Sequence, residues 1–139
     1  MPTLIKFYSL IEAVFEKQHD FSSDTFKLLL SNTAPSLSNT QKTDITEISA
    51  GNGYSAGGIS LTITSSSQSS GLWTWIVADA SVTASGGSIA GWRYAVLYND
   101  SSASDLLVGY LDYGYTVTIA SGQTVDFNFD NTSGLLFAS

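Results

Sequence analysis

A chain of 139 residues suits one domain, and 43% hydrophobic with 12% charged residues makes it globular rather than disordered, with Ser, Thr, Asn and Gly supplying most of the polar surface. The net charge is -7: residues 1–42 balance four lysines against four acids, while everything after Lys42 holds eight acids and Arg93 alone. That acidic body repels phosphate backbones and anionic lipid, so neither a nucleic-acid nor a membrane partner is expected, and the absence of cysteine excludes disulfides and thiolate metal sites.

Apolar residues at Leu4, Phe7, Tyr8, Ile11, Val14 and Phe15 recur every three or four positions, which predicts one amphipathic helix between Thr3 and Lys17. The charged residues Lys6 and Glu12 break its apolar run and no small-residue cleavage site follows. The segment therefore does not read as a signal peptide, and the protein is expected to be soluble as made.

From Asp24 the period changes to two. Phe26 to Leu30 reads as a first strand, ended near Pro35, and a short strand is expected at Ile45 to Ile48 after a loop from Ser36 to Lys42. The glycines of Gly51 to Gly58 mark a turn. After it, Ile59, Leu61 and Ile63 alternate with Ser60, Thr62 and Thr64 as one half-buried strand.

A serine-rich turn from Ser65 to Gly71 is expected to lead into a strand from Leu72 to Val77, with Trp73 and Trp75 on one face. Trp92, Tyr94, Val96 and Tyr98 share a face, as do Tyr115, Val117 and Ile119, and then Val125, Phe127 and Phe129. Turn signals at Gly86-Gly87, Asn99 to Ser104, Gly114, Ser121-Gly122 and Asn131 to Gly134 separate these runs. Seven or eight short strands behind one helix predict a mainly β, two-sheet β-sandwich, jelly-roll-like or Ig-like. The domain is 1–139, with a helix and loop in 1–20 and the sandwich in 24–139.

Four constellations carry possible chemistry. Gly53-Tyr54-Ser55-Ala56-Gly57 matches the G-x-S-x-G turn of a nucleophilic serine, but a strand pattern follows it instead of a helix, and the single histidine, His19, precedes it. His19 beside Asp20 resembles a base with its orienting carboxylate, yet a lone histidine after a helix is more often a cap or surface residue. Asp126, Asn128 and Asp130 have the spacing that opens a calcium loop, but Asn131 and Phe137 stand where glycine and glutamate are required. Alternating Val125, Phe127 and Phe129 make the segment a strand, with a weak cation site as the alternative. Arg93, isolated among acids, reads as a structural ion-pair partner. No catalytic, cofactor or metal residue is assigned, and the chain is not expected to be an enzyme.

Several segments in order resemble a widespread group of small tailed-bacteriophage virion proteins of the head-decoration type. They are Phe15 with His19-Asp20-Phe21, Ser23 to Leu30, Gly51 to Gly58, Gly87-Ser88-Ile89, Arg93 to Asp100, Gly109 to Gly114, and Ser121 to Val125. The resemblance implies a non-catalytic structural protein of the virion, assembled in the host cytoplasm. It would be a capsid decoration or cement protein that binds between subunits of the major capsid protein, or another virion protein, as a homo-oligomer. A neck or tail adaptor or fibre-base component is the first alternative, and a carbohydrate-binding module using the aromatics beside Asp79 or Asp112 is the second. Phe7, Ile11, Phe15 and Phe21 around the helix, with Trp73 and Trp75, are the expected interface. The segment from Thr64 to Trp75 departs from the group.

Overall fold

The computed structural model describes residues 2–139. In chain order the elements are β1 (Ile5–Lys6), α1 (Ser9–Phe15), β2 (Phe26–Ser31), a 3-10 turn (Lys42–Asp44), β3 (Ile59–Ser60), β4 (Ile63–Ser69), β5 (Leu72–Val77), β6 (Ala80–Thr83), β7 (Ile89–Asn99), β8 (Leu107–Ile119), β9 (Thr124–Phe127) and β10 (Leu136–Ala138). The strands form three antiparallel sheets, ordered β1-β8-β7-β2-β3, β10-β5-β4 and β6-β9. The protein is mainly β with one α-helix, as its periodicity predicts.

The run Phe26-Lys27-Leu28-Leu29-Leu30 is nearly continuous in apolar character because β2 lies between β7 and β3 with both faces covered. Phe26, Leu28 and Leu30 enter the main core together with Trp75, Val82, Trp92, Phe127 and Leu136, so one cluster draws on all three sheets. Leu29 enters a second, smaller cluster on the other side, with Phe7, Val96, Tyr98 and Leu107. At the centre of the main core Phe21 and Phe26 stack at 4.9 Å, and Trp75 meets both rings edge-on at 5.1 and 4.9 Å. The Trp75 indole donates to the Phe21 carbonyl at 2.8 Å, so the ring's polar atom is satisfied where it is buried.

Six expectations about the elements are corrected. The helix begins at Ser9 rather than Thr3, because Ile5 and Lys6 pair with Tyr110 and Gly109 on the edge of β8 and the Phe7 N–H donates to the Val108 carbonyl. That sheet edge outweighs a local helical preference worth only a few tenths of a kcal/mol per residue. The predicted strand at Ile45 to Ile48 reduces to a bridge between Ser31 and Glu47 after the 3-10 turn. The alternation from Ile59 to Ile63 is divided: β3 pairs with β2, whereas β4 pairs with β5 in another sheet, so Leu61 and Thr62 carry the chain between sheets.

The serines from Ser65 to Ser69 are strand, not turn. They pair with β5 through Ser69 and Leu72, and the turn is Ser70-Gly71. Trp92 does not share a face with Tyr94, Val96 and Tyr98. Trp92 faces Val117 but Tyr94 faces Asp112, so extra residues bulge from β8 at this point, and across the irregularity Trp92 enters the main core and the other three the second. Gly114 lies inside β8, where its φ of +81° bends the strand without ending it.

Candidate functional site

Helix α1 ends through its own backbone. The Gln18 N–H donates to the Ala13 carbonyl at 2.9 Å and the Lys17 N–H to the Val14 carbonyl at 3.3 Å, with Lys17 at φ +63°. This paired closure stops the helix and turns the chain inward towards His19. The helix buries Leu10 and Ala13, so its periodic face is rotated from the one predicted, and Tyr8, Ile11, Val14 and Phe15 are left exposed.

That rotation opens a groove of about 960 Å³ between α1 and the β10-β5 sheet. Ile11 and Val14 form one wall, Trp73 and Phe137 the other, and Lys6 and Lys17 stand on its margins. The Lys6 ammonium lies 6.0 Å from the centre of the Phe137 ring. β10 ends its sheet, so among the described residues the strand that lines the groove has one edge without a strand partner.

His19 is also in the groove wall and is 9% exposed. Its Nδ1 lies 3.0 Å from the Asn99 amide nitrogen, which also donates to Asp24 at 2.8 Å, while Asn99 Oδ1 accepts from the Ser101 N–H at 2.9 Å. The Ser101 contact fixes which end of the amide is the donor, so Nδ1 must accept and the ring proton resides on Nε2. Among the described residues Nε2 meets no hydrogen-bond partner. Burial pushes the His19 pKa below its ordinary value, with Asp24 working in the opposite direction. The carboxylate that bears on His19 is therefore Asp24, through Asn99, and not the adjacent Asp20. Asp20 turns to its own loop, where it accepts from the Ser22 N–H at 2.9 Å and the Ser23 hydroxyl at 2.9 Å.

The glycine-rich turn is built around Tyr54. The buried Tyr54 hydroxyl donates to Glu47 at 2.7 Å and accepts from the Leu30 N–H at 3.0 Å, and the same Glu47 oxygen receives the Gly57 N–H at 2.7 Å. Burial is the first cause that raises the Tyr54 pKa. Ser55 stands exposed on this turn, with strand β3 following it.

Other carboxylates are similarly engaged. Arg93 grips Asp112 through two contacts of 2.8 and 3.1 Å, as its isolation predicts, and this pair holds the Asp112 carboxyl below its usual range. Asp79 accepts the Phe129 N–H at 2.8 Å, and Asp130 accepts the Thr132 and Ser133 N–H groups at 2.7 and 2.9 Å. Asp44 caps the 3-10 turn, and Asp100 lies 3.3 Å from Lys27. With Glu47, six of the eight acids after Lys42 have partners within the chain.

The six residues expected at an interface are divided by the fold. Phe7, Phe21 and Trp75 are buried in the protein's own interior and hold the framework together. Ile11 and Phe15 are exposed, at 63% and 80%, and Trp73 is half-buried with its indole donating to the Ser66 hydroxyl at 3.1 Å. Sequence reasoning missed Phe137 and Lys6, which strand pairing brings to the groove, and Lys17, which stands at the left-handed end of α1. It also missed Asn99 and Asp24, whose only signal is a polar residue closing an apolar run. Comparison of the chain with protein-family models, with curated proteins and with solved structures finds no match.

Proposed function

We propose that this chain is a non-catalytic structural protein of a tailed-phage virion, a decoration or cement protein that binds between subunits of the major capsid protein. The exposed apolar strip of α1 carries the reading. A chain of this size that leaves Phe15 80% and Ile11 63% exposed beside an open groove presents a surface suited to a protein partner. The ordered resemblance of its segments to head-decoration proteins supports the same conclusion. Here the five-stranded sheet forms one layer and the three- and two-stranded sheets the other, in a two-sheet β-sandwich of jelly-roll-like or Ig-like kind. The cluster shared by all three sheets supports that arrangement. Attachment is multivalent: modest contacts per copy add up across the lattice and through a closed homo-oligomer.

Copy number per particle, by quantitative mass spectrometry of virions and cryo-electron microscopy, tests the proposal. On the order of hundreds of copies spread over the head agrees with decoration. About a dozen at one vertex replaces it with a neck or tail ring. The carbohydrate-binding alternative loses Trp75 as a stacking platform, since that ring is fully enclosed.

A further inference from the structure

We infer that the groove between α1 and the β10-β5 sheet is a docking site for an acidic, apolar segment of another protein, bound in extended form beside β10. This inference does not depend on the virion reading, since it rests on the groove's own chemistry.

Three observations specify the occupant. The walls are apolar, with Ile11 and Val14 on the helix and Trp73 and Phe137 on the sheet, and Ile11, Val14 and Phe137 are at least 41% exposed. Burying such side chains against an apolar occupant removes them from water, which favours binding. Lys6 and Lys17 line the groove in a protein of net charge -7, and the one acid in the lining, Asp20, already accepts from Ser22 and Ser23. Carboxylates on the occupant complete that pattern. Among the described residues neither lysine lies within salt-bridge distance of a carboxylate, and a net charge of -7 sets two copies against each other, so the complement comes from a different chain.

The third observation concerns hydrogen bonding. Among the described residues β10 is the last strand of its sheet and its outer edge has no strand partner, which an extended segment satisfies by main-chain pairing. His19, in the same wall, holds a buried Nε2 that has no hydrogen-bond partner among the described residues.

The test uses the full chain and two short synthetic peptides, one alternating leucine with glutamate and the other leucine with lysine. Binding is followed by Trp73-sensitive fluorescence and by the His19 Nε2–H resonance in NMR. The glutamate peptide is expected to bind at least about tenfold more tightly than the lysine peptide. Ile11→Glu and Lys17→Glu, both at exposed positions, each weaken it by about tenfold or more while leaving the melting temperature close to that of the parent. The Nε2–H resonance shifts and gains protection from exchange when the glutamate peptide binds. Equal binding of the two peptides, or binding indifferent to both substitutions, overturns the inference. So does sedimentation showing a dimer that Ile11→Glu dissociates, because a second copy then covers the groove.

Discussion

Asn99, fully buried at the end of β7, donates to Nδ1 of His19 from 3.0 Å and so fixes the proton of that ring on the opposite nitrogen. The two residues are 80 positions apart, and their contact ties the segment leaving α1 to the central hairpin of the five-stranded sheet. Everything the groove presents on that side depends on the position of this loop. Asn99→Ala removes the donor to His19 and Asp24 and strands the Ser101 N–H. A loss of about 2 kcal/mol in urea unfolding is expected, with the denaturant slope unchanged. A loss under about 0.5 kcal/mol contradicts the role given to this amide.

The titration of His19 has a defined sign. Its folded pKa lies below the ordinary value of 6.5, so the unfolded chain takes up a proton that the native chain refuses. Stability present at neutral pH therefore declines as pH falls through about 6.5, and His19 stops contributing once the lower native pKa is passed. Hydrogen bonds from Ser22 to Asp20, from Thr40 to Asp44, from Arg93 to Asp112 and from Ser133 to Asp130 hold those carboxyls low. They add a second loss that begins below about pH 4. Melting curves between about pH 7.5 and pH 5 should fall for the parent and flatten for His19→Gln. A parent protein whose melting temperature is level across that interval refutes the assignment.

Trp75 joins packing to hydrogen bonding. Trp75→Phe leaves the Phe21 carbonyl without its donor and opens space beside Phe26, so a destabilisation of about 2–4 kcal/mol is expected by chemical denaturation. A Trp75→Phe protein as stable as the parent places the centre of the core elsewhere.

Two glycines separate backbone strain from collision. Gly58 has φ +88° and a side-chain carbon there collides with the Leu28 carbonyl oxygen, whereas Gly114 has φ +81° and open space around it. Gly114→Ala should cost about 1–2 kcal/mol, the penalty of the left-handed region alone. Gly58→Ala must also push β3 away from β2, so it is expected to cost at least about 3 kcal/mol or to prevent folding. Thermal melts of the two variants decide it, and equal losses show that the collision is relieved without disturbing the sheet.

Residue order alone determined the β class of this protein. Alternation in Leu72 to Val77 and Val125 to Phe129, and the unbroken apolar run at Phe26 to Leu30, specify strands through side-chain periodicity, which is local. It also determined the Gly51 to Gly58 turn and an ion pair for the isolated Arg93. The tertiary structure decided what local periodicity cannot encode. Pairing of Ile5 and Lys6 with β8 shortened the helix, because ladder bonds between distant strands outweigh weak propensity. An irregular register between β7 and β8 around Trp92 put Trp92 and the residues from Tyr94 onward in different clusters. The groove followed from the packing of α1. Leu10 and Ala13 took the buried side of α1, Ile11 and Phe15 were left outside, and β10 brought Phe137 opposite them from the far end of the chain. Which apolar residues are spare is settled only when the core is full, and that is a property of the packed molecule.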